Sequence, residues 1–282
     1  MITINKLDFS YKNAAVFKNI SLEFKEGNVY GLLGENGVGK TTLLKIISGL
    51  QFPKNGTCTV DDFIPSERNP YFLQNIFYLP EEVITEDTTP EKFINKIGVF
   101  YPRYDYPYFL NLMKELEVDP SRKFNAMSYG QKKKSLLACA LSLRTDYLLL
   151  DEPTNGLDIP SKALFRKVIL QHSTDAENNL HTIIISTHQV KDVENLIDPI
   201  VILDQEEVLL NATFEEISSK LYFDYSSEKS DEALYAEMIP GGYINVLQNK
   251  FGMESKVNVE ALFNAVRNNK KVVRDIFAVG KN

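Results

Sequence analysis

The chain has 282 residues, enough for one large domain, or for one domain with an appendage, built around a substantial core. Hydrophobic residues make up 44% and charged residues 24% of the sequence, which is ordinary for a globular protein. The net charge of −7 argues against a general nucleic-acid binder, so no nucleic-acid partner is expected.

The two cysteines, Cys58 and Cys139, form neither a disulfide framework nor a metal-ligand spacing, which predicts reduced, buried thiols in a cytosolic protein. The first residues lack the long apolar stretch of a signal peptide. The longest aliphatic runs, at 147–150 and 183–185, fall far short of the roughly 20 apolar residues that span a bilayer. The sequence therefore predicts a chain that does not cross a membrane.

The first 60 residues contain a strand, a glycine-rich loop and a helix in a defined order. Alternating polar and apolar residues at the start predict antiparallel strands with one wet face, and the apolar run Asn28–Leu33 is typical of a buried parallel strand. This run leads into Gly34–Thr41, which fits the phosphate-loop pattern G-x-x-x-x-G-K-[ST]. The segment Thr42–Ser48 is then predicted to be a helix closed by Gly49.

The loop pattern has a direct chemical reason. Glycines let backbone N–H groups turn toward an anion, and the helix N-terminus adds partial positive charge. The Lys40 ammonium can reach the terminal phosphates of a nucleotide, and the Thr41 hydroxyl can hold Mg²⁺. The sequence therefore predicts a nucleotide phosphate site here.

Helices and strands alternate through the middle of the chain. Apolar spacing predicts that residues 90–125 are largely helical and that a helix runs from Ser128 to Leu143, followed by strands at 147–150 and 182–186. Such alternation around a phosphate loop predicts a mostly parallel sheet covered on both faces. The composition changes after about residue 210, which predicts a small accessory segment over 213–282.

The strand Tyr147–Leu150 is followed by two carboxylates, Asp151 and Glu152. In P-loop phosphoryl-transfer sites, an Asp at such a strand end holds Mg²⁺. The adjacent Glu152 is placed to polarise an attacking water as a general base. Together with the glycine loop, the pair predicts nucleotide hydrolysis.

Several further segments resemble the ATP-binding cassette ATPases, the nucleotide-binding subunits of ABC transporters. Met127–Gln131 looks like the family's LSGGQ signature, Glu152–Asp158 is similar to its D-loop region, and Ser186–His188 looks like its switch histidine. Tyr11 matches the aromatic residue on which the adenine ring stacks. The resemblance covers residues 1 to about 212.

The resemblance implies an α/β P-loop NTPase cassette, with a mostly parallel core sheet and an N-terminal antiparallel β subdomain. It places the ATPase domain at 1–212, an inserted helical subdomain at about 82–140, and a small C-terminal accessory segment at 213–282. ATP and Mg²⁺ are the implied cofactors. The implied catalytic residues are Lys40, Glu152 and His188, and the implied metal ligands are Thr41, Glu81 and Asp151. The implied ATP-binding residues are Tyr11, Gly34, Glu35, Asn36, Gly37, Val38, Gly39, Lys40, Thr41, Thr42, Ser128, Gly130 and Gln131.

Two positions depart from the family pattern. Glu81 stands where the family usually has Gln, which changes the charge of the site by one unit. Tyr129 stands where the signature usually has its first glycine, and a tyrosine disfavours positive φ. The run Lys132–Lys134 is predicted to be a solvated face at the start of a helix that Ser128 caps.

The resemblance also implies partners. Two cassettes would sandwich ATP head to tail between the phosphate loop of one subunit and the signature of the other, with a homodimer the simplest arrangement. A separate integral membrane permease would dock on the helical region 90–125 and the loop at Glu81. The chain would then be cytoplasmic and peripheral on the inner face of the cell membrane.

Other functions stay open at this stage. A soluble cassette ATPase acting on a cytosolic assembly would carry the same motifs and differ only in its partners. A P-loop kinase would need neither the signature nor the D-loop, and a DNA-bound or ribosome-bound cassette protein usually has a long coiled coil or two cassettes. The tail segment Val257–Phe263 resembles the short acidic helix that ends many ATPases of ABC-2-type exporters, with Asn258 as its cap; a simple packing helix is the alternative.

Overall fold

The computed structural model describes residues 1–12, 14–82, 85, 87–174 and 181–278. The chain begins with an antiparallel sheet in the order β2-β1-β4. Its strands are β1 (Ile2–Tyr11), β2 (Ala14–Phe24) and β4 (Asn55–Val60). Every second side chain along much of β1 and β2 is buried, as the alternating sequence predicts.

A second, six-stranded sheet forms the centre of the molecule in the order β5-β6-β7-β3-β8-β9. Its strands are β3 (Val29–Leu33), β5 (Ile76–Leu79), β6 (Tyr147–Asp151), β7 (Thr182–Thr187), β8 (Ile200–Asp204) and β9 (Glu207–Ala212). All neighbours pair in parallel except β8 and β9. Successive residues of β3, β6, β7 and β8 enter different apolar cores on the two faces, which explains their continuous apolar sequence.

Helices cover both faces of this sheet. They are α1 (Lys40–Ile47), α2 (Pro70–Leu73), α3 (Pro90–Gly98), α4 (Tyr106–Glu115), α5 (Tyr129–Ser142) and α6 (Ile159–Ser173). The core on the side of the N-terminal sheet contains α1, whereas the opposite core contains α4, α5 and α6. The predicted fold class, an α/β P-loop cassette with an antiparallel N-terminal sheet and inserted helices, is confirmed.

The C-terminal segment has a sheet of its own. It contains α7 (Phe214–Lys220), the antiparallel strands β10 (Leu221–Ser226), β11 (Tyr235–Ile239) and β12 (Gly242–Gln248), and helices α8 (Val259–Asn268) and α9 (Lys270–Ala278). Buried residues of α8 share one apolar core with β9 of the central sheet. The segment is therefore packed against the central sheet. Residues 83, 84 and 86 of the predicted helical subdomain and 279–282 of the accessory segment lie outside the described residues.

Two buried histidines stack at the end of the central sheet. The rings of His172 and His181 lie 4.4 Å apart, and Nδ1–H of His181 donates to the Thr145 carbonyl at 2.9 Å. Burial is the main cause of the lowered pKa of His181; Arg103 and Arg144 lower it further, against the Thr145 hydrogen bond and the Asp146 charge, which raise it. His181 is therefore held in its neutral form at neutral pH.

We expect the free energy of unfolding to fall once the pH drops below about 6.5, the pKa of an unfolded histidine. The unfolded chain then binds a proton that folded His181 excludes, which costs up to about 1.4 kcal/mol per pH unit until the lowered pKa is reached. Urea unfolding of the wild type and His181→Asn at about pH 7.5 and about pH 5.5 measures this loss. The variant should lose less stability between the two pH values, and an equal loss in both proteins would contradict the assignment.

Candidate functional site

The phosphate loop connects β3 to a helix whose N-terminus has no side-chain cap. Gly39 is the N-cap residue of α1, no side chain accepts from the first N–H groups, and the first turn carries no acidic residue. In α2 to α8 a side chain caps each N-terminus: Asn69, Thr89, Asp105, Ser128, Asp158, Thr213 and Asn258. Helix α1 therefore presents free N–H donors and its positive dipole end to an anion.

Glycine is required at the N-cap of α1. Gly39 has φ of +106°, and a Cβ placed there would lie 2.7 Å from the Phe17 ring and 2.8 Å from Val16. Any other residue here would be strained by the positive φ and would clash with Phe17 and Val16. The preceding residues Glu35, Asn36 and Gly37 are exposed, so the outer rim of the loop is accessible to a ligand.

Lys40 lies buried at the start of α1, with its ammonium inside the loop. Its Nζ donates to the Gly34 carbonyl at 2.8 Å and to the Glu35 carbonyl at 3.1 Å. The same atom lies 3.3 Å from Oε1 of Glu152. The loop cation and the predicted general base therefore occupy one site.

Asp151 ends strand β6, and both of its carboxylate oxygens are held by hydroxyl groups. Ser186 donates to Oδ1 at 2.5 Å and Tyr78 donates to Oδ2 at 3.0 Å. Burial raises the pKa of Tyr78, and the negative charge of Asp151 raises it further, so the phenol stays a donor. Tyr78 and the Ser186 hydroxyl are not among the predicted site residues, since only the parallel pairing of β5, β6 and β7 brings them beside Asp151.

Glu152 follows in a strained backbone conformation, with φ of +44°. Its N–H is directed at both the carbonyl and the hydroxyl of Ser186, each at 3.1 Å. Oε1 is buried and has no hydrogen-bond partner, although Nδ1 of His188 lies 2.9 Å away. The N–H of His188 donates to Oε2 at 3.4 Å. Oε1 also lies 3.3 Å from Nζ of Lys40, and a buried carboxylate oriented by these groups can accept a proton from a water molecule.

Tyr11 lies at the end of β1, next to the first turn of α1. Thr42 donates its hydroxyl hydrogen to the Tyr11 phenol oxygen at 3.3 Å, and the Phe9 ring meets the Tyr11 ring edge-on at 4.9 Å. The side chain remains 44% exposed. It therefore offers aromatic surface beside the phosphate loop, where a base could stack.

The signature segment forms the N-terminus of α5. Ser128 and Gln131 make a reciprocal capping box: the Ser128 hydroxyl accepts from the Gln131 N–H at 3.2 Å, and the Ser128 N–H donates to Oε1 of Gln131 at 3.0 Å. Tyr129 is the first helical residue and has no positive φ, so replacing the usual glycine causes no backbone strain. Its ring instead lies against Gly156, and a Cβ added to Gly156 would lie only 2.6 Å from that ring.

The prediction of a solvated lysine face at 132–134 is wrong for Lys133. Its Nζ donates to the carbonyls of Glu152 and Asn155, each at 2.9 Å, and lies 5.2 Å from the centre of the Tyr129 ring. Burial lowers the pKa of Lys133 against the opposing effect of nearby carboxylates, of which Glu81 contributes most. Local sequence does not indicate this role, because the acceptors are backbone carbonyls 19 and 22 residues away along the chain.

Glu81 contacts the D-loop. Nδ2 of Asn155 donates to its Oε1 at 2.6 Å, and Glu81 lines a small cavity together with Lys133 and Asp151. Among the described residues, the structure places Glu81 beside Asp151 without a hydrogen bond between them. A metal role for Glu81 stays a prediction.

The structure brings most predicted site residues together around the phosphate loop, whereas the signature segment lies apart from them. The gathered residues are Tyr11, Gly34, Glu35, Asn36, Gly37, Val38, Gly39, Lys40, Thr41, Thr42, Asp151, Glu152 and His188. In the parts of the chain that the structure describes, Ser128, Gly130 and Gln131 make no hydrogen bond or ion pair with residues 34–42. The signature segment is exposed at Ser128 and Tyr129.

The donor set fits a nucleotide with a hard cation. The uncapped helix and Lys40 offer positive groups to a polyphosphate, and the Thr41 hydroxyl and the Asp151 carboxylate offer the oxygen ligands that Mg²⁺ prefers. Fold and site together therefore define a P-loop nucleoside triphosphatase.

Comparison with known proteins narrows this class. The family described as ABC transporter matches residues 17–155. The ABC transporter ATP-binding protein YtrB of Bacillus subtilis (strain 168) is 31% identical over 210 residues, which are 74% of this chain and 70% of YtrB. The ABC transporter ATP-binding protein NatA of the same organism is 31% identical over 228 residues, covering 78% and 88% of the two chains. The chain belongs to the ATP-binding proteins of the ABC transporter family and is an ATPase.

Solved structures agree with this fold. An ATP-binding subunit of an ABC transporter superposes with a TM-score of 0.68 at 24% identity, over 77% of this chain and 91% of that one. A dimeric ATP-binding cassette in a post-hydrolysis state with ADP and Pi gives 0.66 at 22% identity, over 76% and 98%. Both likenesses concern the architecture alone.

Proposed function

We propose that this chain is the ATP-hydrolysing subunit of an ABC transporter and powers a separate membrane permease. The observation behind it is that Oε1 of Glu152 lies 3.3 Å from Nζ of Lys40 and 2.9 Å from Nδ1 of His188, beside the uncapped helix α1. No helix in the described part of the chain has the length and apolar composition needed to span a bilayer.

Each residue has one task in the proposed reaction. Lys40 and the free N–H groups of α1 bind the β- and γ-phosphates, and Tyr11 stacks on the adenine. Thr41 and Asp151 would hold Mg²⁺, which neutralises charge on the phosphates. Glu152 accepts the proton of the attacking water, and His188 fixes the orientation of its carboxylate.

The proposed active unit is a dimer, with a second copy of this chain as the simplest partner. The phosphate loop and the signature segment share no hydrogen bond or ion pair among the described residues, and the sequence carries each motif once. Ser128, Gly130 and Gln131 would then bind a nucleotide held by the other subunit's Lys40. Each ATP would be bound between two chains.

The remaining assignments follow the sequence resemblance. We place the ATPase domain at 1–212 with its helical subdomain at about 82–140, the accessory segment at 213–282, and the protein on the inner face of the cell membrane. The export direction rests on the resemblance of Val257–Phe263 alone, because the cap at Asn258, which accepts from the Ala261 N–H at 2.9 Å, would serve a simple packing helix equally well. Co-purification with a cytosolic assembly instead of a membrane protein would favour a soluble ATPase.

Ser128→Arg tests the composite site. The variant should keep the affinity of one subunit for ATP and lose most hydrolysis, because its arginine blocks the nucleotide of the partner. Mixing it with Lys40→Ala protein should recover part of the activity, since one of the two sites in such a heterodimer is intact. Phosphate release is the measurement, with Ser219→Arg on the exposed face of α7 as the matched control. Full activity of the Ser128→Arg protein alone would overturn the proposal.

A further inference from the structure

The C-terminal helices direct a row of basic side chains at the phosphate-loop end of the central sheet. Lys270 Nζ lies 2.8 Å from the buried carboxylate of Asp204, and Arg274 lies 2.5 Å from Glu207. Asp204 ends β8, and Glu207 begins β9, the strand at the edge of the sheet. A further basic residue of these helices extends beyond the sheet to the phosphate loop.

Arg267 of α8 makes that contact. Its Nη1 donates to Oε1 of Glu35 at 2.5 Å, across 232 residues of sequence. Glu35 is the second residue of the phosphate loop, and its own carbonyl accepts from Nζ of Lys40. A side chain from the accessory segment is therefore bonded to a residue that also holds the nucleotide-binding lysine.

The guanidinium of Arg267 is held in place from more than one side. It lies 5.4 Å from the centre of the Phe263 ring, one turn earlier on α8, and its Nε is 3.9 Å from Oδ1 of Asp204. The side chain is only 25% exposed, and Nε is buried without a hydrogen-bond partner. A planar cation fixed in this way loses little entropy when it binds a carboxylate.

The charge of Glu35 makes the contact relevant to nucleotide binding. A free carboxylate on the loop would repel a polyphosphate bound to the same loop, and this repulsion is strong where water is partly excluded. Glu35 is 58% exposed, so the repulsion is moderated by solvent but not removed. Pairing with Arg267 cancels the charge and restrains the residue next to the acceptor of Lys40.

We propose that Arg267 is a positioning residue for nucleotide binding, supplied by the C-terminal segment and acting through Glu35. The inference rests on the proposed function of the phosphate loop. It gives the accessory segment a direct influence on ATP affinity, in addition to its packing against the sheet. Arg267 touches neither the phosphates nor the attacking water in this scheme, so it acts on binding and leaves the chemical step unchanged.

Arg267→Ala should weaken ATP binding by roughly 3- to 10-fold, the range for a partly exposed charge-assisted pair. KM for ATP should rise by a similar factor while kcat changes less than about twofold. Arg267→Lys should recover part of the affinity, because it keeps the charge and loses the planar fork. Arg274→Ala is the matched control: it breaks an ion pair of the same row with Glu207 and should leave the affinity unchanged.

A double-mutant cycle with Glu35→Gln tests whether Arg267 acts through Glu35. In the Glu35→Gln background, Arg267→Ala should no longer change the affinity for a fluorescent ATP analogue. An unchanged affinity of the single Arg267→Ala variant would overturn the inference. An equal loss in both backgrounds would do the same, since it would show that the arginine acts through the fold.

The same titration separates this inference from the proposed function. If the wild type binds the analogue and Lys40→Ala does not, the phosphate site stands whatever Arg267→Ala does. If the wild type fails to bind the analogue, the proposed function itself is wrong. Thermal unfolding of each variant verifies that altered affinity does not come from loss of folded protein.

Discussion

Replacing Glu152 with Gln is expected to lower ATP hydrolysis by about 10²- to 10⁴-fold, the usual contribution of a positioned general base. Gln has nearly the same shape, so the hydrogen bond from the His188 N–H can persist, but the amide accepts a proton poorly. ATP binding should remain, because Lys40 and the free N–H groups of α1 are unchanged. The ATP-bound dimer should then accumulate.

Two measurements check this result. Phosphate release gives the loss of hydrolysis, and size-exclusion chromatography with ATP shows the trapped dimer. Glu232→Gln, at an exposed glutamate that pairs with Lys250, is the matched control. Wild-type turnover in the Glu152→Gln protein would remove Glu152 from the catalytic role.

Replacing Lys40 with Ala is expected to abolish measurable nucleotide binding. The ammonium is buried inside the loop, where it donates to the carbonyls of Gly34 and Glu35 and contacts Glu152. Its removal takes away the charge-assisted contact to the phosphates, and no other lysine or arginine of the described residues makes a hydrogen bond to this loop's carbonyls.

Calorimetric titration with ATP measures this loss. Lys45→Ala is the matched control, because Lys45 lies in the last turn of the same helix, away from the loop. Unchanged affinity in the Lys40→Ala protein would rule out the phosphate-loop assignment. Unfolding by urea should accompany the titration, since the change also leaves the buried Glu152 carboxylate with one cation fewer.

Local patterns predicted much of this molecule. The loop at 34–41 could be identified because its function depends on consecutive residues, and the helix from Ser128 begins at its cap and ends near Leu143 as its sequence indicates. The alternating burial of β1 and the continuous burial of β6 follow directly from their residues. In each case the information lies within one continuous stretch of the chain.

Contacts between distant segments could not be predicted in this way. Tyr78 and Ser186 bind Asp151 only because three parallel strands lie side by side. Arg267 meets Glu35 from the far end of the chain, and nothing in its own neighbourhood marks it as different from other helical arginines. Such pairs depend on tertiary packing, which a single sequence does not reveal.

The two hydrogen bonds that Lys133 donates connect helix α5 to the backbone of Glu152 and Asn155. The N-terminus of α5 would contact the ATP of the neighbouring subunit, while Lys133, one turn along the same helix, holds the backbone of Glu152 in its own subunit. In the proposed dimer, a displacement of α5 at one nucleotide would therefore be transmitted to Glu152, which accepts the proton of the water that attacks the other nucleotide. Lys133 would then couple the two hydrolytic sites, because it joins the helix that contacts one ATP to the backbone of the base that serves the other.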